Sequence, residues 1–332
     1  MTSFRIKLIW KMKFRTEIKA EPSARKISHG EALFLMGSCF AEHIGLKLKE
    51  AGFDVLSNPF GISYNPASIG EIIKRLMDKR GISADELFEN RGFWHAYDFH
   101  GSYSAAEKDR ALQSMQKQFE LGSSYLRKAR HLLITFGTSQ VFRLRDSGKV
   151  VNNCHKMPAA VFERSMLSLE EMQSQWLALL DQYFGMNRSV HVVLTVSPVR
   201  YLGDGAAANT RSKARLIELA HRLTERYEQL SYFPAYEIFM DDLRDYRFYD
   251  KSLVHPSEMG IEYVWEKFSA CFFTKETREI ANKLGALSKS LRHRPLHPES
   301  KAHRAFQKKL YDEIEEIKKR HPAIRFPAEP WH

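Results

Sequence analysis

Cysteine is scarce: the 332 residues hold three, Cys39, Cys154 and Cys271. No two are spaced Cys-x-x-Cys, so neither a disulfide framework nor a structural zinc site is expected. The count fits a reducing compartment, and the chain is read as cytoplasmic. Long apolar runs are missing too. The longest, residues 131–136 and 190–196, have the length of strands rather than the roughly 20 residues of a membrane span. Near the N-terminus, Lys7 and Lys11 flank only Leu8-Ile9-Trp10, too short a core for an export signal. That segment is read as a short leader. Neither an internal repeat nor a low-complexity stretch is found.

What is present argues for a folded chain. Hydrophobic residues make up 43% and aromatics 12%, which excludes disorder throughout. The net charge of +11 is uneven: residues 275–332 carry 14 Lys and Arg against 8 Asp and Glu. There the signs alternate, as in Lys308-Lys309 before Asp312-Glu313 and Glu315-Glu316 before Lys318-Lys319-Arg320. This is the pattern of a solvated helix laced with i,i+4 pairs, and nucleic acid is not an expected partner.

Strand-like and helix-like segments alternate. Residues 32–36 form a short apolar run ending at Gly37-Ser38, followed by a helical stripe of Phe40, Ile44, Leu48 and Ala51 that Gly52 stops. Further strands are expected at 53–56, 131–136, 190–196 and 235–239. Helices are expected from Pro66 to Arg80, over 105–129, after the capping box Ser168-Leu169-Glu170-Glu171, over 210–229 and over 257–273. The aromatic segment from Phe93 to Tyr103 reads as core filling, with a lid or sugar platform as the alternative. Strands too continuous to have a wet face predict a parallel sheet covered on both sides, a three-layer αβα sandwich. Residues 276–320 read as two helical pieces broken by Pro295 and Pro298. The organisation expected is a leader and first segment (1–30), an α/β domain (31–275) and a basic helical extension (276–332).

Two signals carry chemistry. Gly37-Ser38-Cys39-Phe40-Ala41 ends the first core strand, at the carboxyl edge where ligands of open parallel sheets bind. A serine there, at a helix N-terminus, lies beside backbone N–H groups able to hold an oxyanion, although Gly-Ser before a helix is also a common cap. Val254-His255-Pro256-Ser257 places a histidine before the last helix of the domain, where it could act as base to the serine or simply precede a Pro-initiated helix. Asn153-Cys154-His155-Lys156 offers a polar loop, with Lys156 suited to a carboxylate or phosphate. A Cys154–His155 nucleophile pair is disfavoured because sequence neighbours rarely face one another. Arg200 follows a buried strand and is either a substrate anchor or an ion-pair partner of Glu237 or Asp241. Gly203 to Ala208 matches a dinucleotide fingerprint only on paper and reads as a loop. The carboxylates Asp241, Asp242 and Asp245 lack a companion histidine, so no metal and no organic cofactor are expected.

The pentapeptide at 37–41 resembles the signature of the GSCFA-domain family, and the likeness continues through Asn58-Pro59-Phe60-Gly61, Tyr64-Asn65-Pro66, Phe136-Gly137-Thr138, Asn153 to Lys156, Ser197 to Arg200, Ser212-Lys213, Phe233 to Glu237, Asp245 to Tyr249 and His255-Pro256-Ser257. The resemblance spans about residues 31–268. It implies the SGNH (GDSL-like) hydrolase fold, a flavodoxin-like sandwich. Ser38 would be nucleophile and His255 base, with oxyanion donors among the N–H groups of Ser38, Cys39, Gly61, Gly137 and Thr138. Asn153, His155, Lys156 and Arg200 would bind substrate. The chain departs from the pattern in three ways. The third block has no Asn, Tyr201 stands where a His is expected, and Ser252 occupies the triad Asp position, leaving Asp250 as the nearest carboxylate. The expected activity is hydrolysis or transfer of an acyl ester on a small molecule or glycan. The alternative, motivated by Ser252, is a binding module that keeps the cleft without turnover.

Overall fold

The computed structural model describes residues 15–291 and 300–325. The leader expected at the N-terminus and the break at Pro295 and Pro298 lie outside them. In chain order the elements are β1 (Ala32–Gly37), α1 (Cys39–Glu50), β2 (Asp54–Ser57), α2 (Pro66–Met77), β3 (Phe88–Asn90), β4 (Phe93–His95), α3 (Lys108–Lys128), β5 (His131–Phe136), β6 (Gln140–Leu144), β7 (Val150–Val151), β8 (Phe162–Met166), α4 (Leu169–Met186), β9 (His191–Val196), α5 (Gly205–Arg226), β10 (Leu230–Tyr232), α6 (Ala235–Glu237), α7 (Glu258–Phe272), α8 (Lys275–Leu291) and α9 (Lys301–Arg320).

Five strands form one parallel sheet in the order β10-β9-β5-β1-β2. Counted along the chain this is the 2-1-3-4-5 order of flavodoxin-like folds, whose switch point falls between β1 and β5. Strands β1, β5 and β9 are buried at every residue, and their side chains alternate between two cores as a period of two requires. Phe34, Met36, Leu132, Ile134, Val192 and Leu194 face the core under α2, α3, α4 and α5. Leu33, Leu35, Leu133 and Val193 face the core under α1 and α7. The sheet is therefore covered on both sides. Helices α8 and α9 add a smaller apolar cluster of Leu284, Leu287, Leu310, Ile314, Ile317 and Ile324. No helix of the described residues is long and apolar enough to cross a membrane.

The fifth strand differs from expectation. It is Leu230–Tyr232, pairing with β9, whereas residues 235–239 are helical, α6 running into a π-helical turn at Ile238–Asp242. Ala235, Ile238 and Phe239 are buried together, a spacing that suits a helix face, and Pro234 ends the extended segment before them. Helix α5 begins earlier than expected, at Gly205: the run Ala206-Ala207-Ala208, read as loop, extends it by strong helix propensity. Two small antiparallel sheets, β3-β4 and β7-β6-β8, are insertions on the parallel core. Phe99, in the aromatic segment, is fully buried and stacks on Phe60 with centroids 4.0 Å apart, which is core filling.

Candidate active site

Strand β1 delivers Ser38 to its carboxyl edge through a main chain that leaves little freedom. Gly37 has φ +140°, and a Cβ there would lie 2.2 Å from the Thr135 carbonyl oxygen, so only glycine fits. The Gly37 N–H donates to Asn58 Oδ1 (2.8 Å), and its carbonyl accepts from the Ser63 N–H (3.0 Å). Ser38 caps α1, its Oγ accepting from the Phe40 N–H at 3.3 Å. It is 1% exposed and forms part of the floor of a cleft of about 450 Å³.

His255 lines the same cleft from a loop in front of α7. No hydrogen bond joins its ring to Ser38 among the described residues. Behind the ring, Nδ1 lies 3.5 Å from Ser252 Oγ and 4.0 Å from Asp250 Oδ2. Ser252 Oγ donates to Asp250 Oδ1 at 2.5 Å, so hydroxyl and carboxylate stand in series behind the imidazole. The Ser252 hydroxyl, followed by the nearby His255 ring, holds the Asp250 carboxyl below its usual pKa. The backbone of this loop is pinned by Asp250 N–H to the His255 carbonyl (2.8 Å) and by Arg200 N–H to the Val254 carbonyl (3.1 Å). Leu253, at φ +56°, makes the reversal. Arg200 pairs with neither Glu237 nor Asp241. Its guanidinium donates to the Leu253 carbonyl (3.2 Å), sits 5.7 Å above the Tyr249 ring and borders the cleft.

Most of the oxyanion donors suggested by the sequence are already engaged. The Ser38 N–H donates to the Thr135 carbonyl (3.2 Å) and the Gly61 N–H to the Asn58 carbonyl (2.8 Å). The Gly137 and Thr138 N–H groups both donate to the Tyr64 carbonyl, at 2.8 and 2.9 Å. Gly61 has a different use: a Cβ there would come 2.2 Å from His100 Cβ, so its lack of a side chain admits that histidine. Gly137 likewise leaves room for Ser38, since a Cβ there would meet Ser38 Cβ at 3.2 Å. The Cys39 N–H remains, since the first residue of a helix has no intrahelical acceptor. Asn153 borders the cleft with its Oδ1 accepting from the His155 N–H (2.9 Å), which leaves the carboxamide nitrogen as a donor.

His155 and Lys156 lie elsewhere. The His155 ring is buried, donates from Nε2 to the Ala96 carbonyl (2.9 Å), and is drawn down to a pKa of about 4, chiefly by burial. Both residues line a second cavity that adjoins the first at Asn153, because the turn at 154–157 sends their side chains away from Ser38. Cys154 borders the cleft that holds Ser38 and His155 does not, so they form no pair. Burial raises the pKa of both Cys39 and Cys154 and keeps them as thiols. No cluster of three or more His, Cys, Asp or Glu able to hold a metal occurs among the described residues.

One residue of the site had no sequence signal beyond its place in the family pattern. Lys213 of α5 is 1% exposed, and its Nζ donates to the Gly137 and Ser197 carbonyls at 2.6 Å each, tying the ends of β5 and β9 together beneath the cleft. Burial pulls its pKa down to about 7. Next to it, Ser212 Oγ accepts from the Ser139 N–H at 2.7 Å. A mid-helix lysine ordinarily reads as solvated, and only the fold turns this one inward.

A parallel sheet in flavodoxin order, with a serine and a histidine brought to one cleft at its carboxyl edge, is an α/β sandwich of flavodoxin-like topology. The GSCFA family model matches residues 32–268, and the model of the GSCFA domain protein C-terminal domain matches residues 284–330. The chain belongs to the GSCFA family. No curated protein matches it. Among solved structures it is similar to a family 3 carbohydrate esterase of Clostridium thermocellum (10% identity, 76% of this chain and 98% of that one, TM-score 0.33). It is also similar to an acetyl xylan esterase from the rumen bacterium Butyrivibrio proteoclasticus (11% identity, 78% and 66%, TM-score 0.38).

Proposed function

We propose that the protein is a serine ester hydrolase or acyl transferase acting on an O-acyl ester of a small molecule or glycan. Ser38 Oγ attacks the ester carbonyl while its proton passes to His255 Nε2, the nitrogen turned away from Ser252. The Cys39 N–H, at the positive end of α1, and the Asn153 carboxamide stabilise the oxyanion. The ester C–O bond then breaks, the alcohol leaves with the proton held by His255, and water or a second alcohol takes the acyl group from Ser38. Ser252 orients the imidazole, with the Asp250 charge one hydroxyl further away. The observation that carries this reading is the convergence of Ser38 and His255, more than 200 residues apart, on one cleft.

The separation of Ser38 from His255 favours a second reading, a binding module with an idle cleft. A fluorophosphonate probe decides between them. Labelling of the parent protein that is lost in Ser38→Ala, together with a fall of about 10³-fold or more in hydrolysis of 4-nitrophenyl acetate, is the expected result. An unlabelled parent protein, or turnover unchanged by the substitution, overturns the hydrolase.

A further inference from the structure

The second cavity, about 460 Å³, abuts the catalytic cleft along Asn153. Its lining includes Arg91, Lys156, His95 and His100, and no Asp or Glu. Neither Arg91 nor Lys156 has an ion-pair partner among the described residues. Both are exposed at the cavity. Phe93, 50% exposed, adds an apolar face beside them.

The backbone holds these cations in place against its own preference. Of the six non-glycine residues with positive φ among the described residues, three lie here: Arg91 (+55°), His155 (+48°) and Lys156 (+56°). Arg91 and Gly92 form the two-residue turn of the β3-β4 hairpin, whose strands pair at Asn90 and Phe93. The turn at 154–157 is closed by the Met157 N–H on the Cys154 carbonyl (2.9 Å) and has both central residues left-handed. Such turns favour Asn, Asp or Gly. Using Arg, His and Lys instead sacrifices stability, as residues held for binding often do. The His155 ring, fixed on the Ala96 carbonyl and 4.4 Å from the His95 ring, anchors the second turn so that Lys156 faces the cavity.

We propose that this cavity is an anion subsite, and that the ester substrate carries a carboxylate or phosphate on the part of the molecule next to its acyl group. The proposal rests on the hydrolase reading for its link to catalysis, but not for the binding itself. Calorimetric titration tests it with glucuronic acid, glucose 6-phosphate and, as the neutral control, glucose. The parent protein is expected to bind at least one of the two anions at least tenfold more tightly than glucose, and which one it prefers identifies carboxylate or phosphate. The double variant Arg91→Asn/Lys156→Asn removes both charges yet suits left-handed backbone, so its Tm should equal or exceed the parent value while anion binding falls at least tenfold. Binding no tighter for either anion than for glucose, or anion binding unchanged in the double variant, overturns the subsite. Because no turnover is required, a failed hydrolase and an absent subsite give different results.

Discussion

The two halves of the candidate active site are built in opposite ways. Ser38 is 1% exposed and fixed by main-chain bonds to Thr135, with its neighbour Gly37 held by Asn58 and Ser63. The His255 side chain is 41% exposed, and its partner Asp250 45% exposed, on a loop held by a few short-range bonds. The sheet therefore dictates where Ser38 stands, whereas His255 rides on an exposed loop outside the sheet. The backbone differs accordingly: Gly37 takes φ +140° beside Ser38, which only glycine adopts readily, whereas an exposed leucine, Leu253, takes the left-handed φ of +56° in the loop of His255.

Substitutions on each side break that contrast in turn. Gly37→Ala should do the most damage. Its Cβ collides with backbone rather than with a movable side chain, so a loss of roughly 3 kcal/mol or more is expected, read as a collapse of the denaturant midpoint. Retention of the parent midpoint would show that the sheet edge at Ser38 is soft. On the base loop the effects are chemical. Ser252→Ala should lower kcat/KM about tenfold, the worth of one hydrogen bond of about 1.4 kcal/mol, with Tm nearly unchanged. An unchanged kcat/KM in the variant would remove Ser252 from the groups that orient His255.

At Lys213 the expected effect is a pH dependence of stability rather than of activity. A lysine whose pKa is lower folded than unfolded binds fewer protons in the native state between the two values. Stability should therefore rise as pH climbs from about 7 towards the ordinary lysine value near 10.4, and should level off below about 7, where the amine is protonated in both states. The neutral amine still has two N–H groups for its two carbonyls, so the strap across β5 and β9 survives deprotonation. Urea midpoints of the parent protein and Lys213→Met across that range provide the check, with the rise expected only in the parent.

The sequence made the sandwich readable because β1, β5 and β9 are continuous apolar runs separated by amphipathic helices. Ser38 and His255 were readable because each stands at a glycine- or proline-marked boundary. The oxyanion donors were not. Whether an N–H is available depends on which carbonyl lies opposite, and the Tyr64 carbonyl that engages Gly137 and Thr138 arrives from a loop more than 70 residues earlier. Lys156 was readable as a cation suited to a carboxylate or phosphate, but its direction is set by two consecutive left-handed residues that no residue-type signal announces. Residues 235–239 satisfy both an alternating and a helical pattern over so short a span that only packing decides between them.

The last described turn of the chain closes on the helix that begins at Ser38. The Arg325 N–H donates to the Gly52 carbonyl at 2.8 Å, and side chains on Gly52 would strike Leu284 and Ile324. During synthesis at roughly 5–20 residues per second, that seal forms on the order of tens of seconds after α1 has left the ribosome. The far end of α1 thus stays uncovered until residue 325 has been made, and a polypeptide released before that point would present an open apolar seam for chaperones and proteases to recognise.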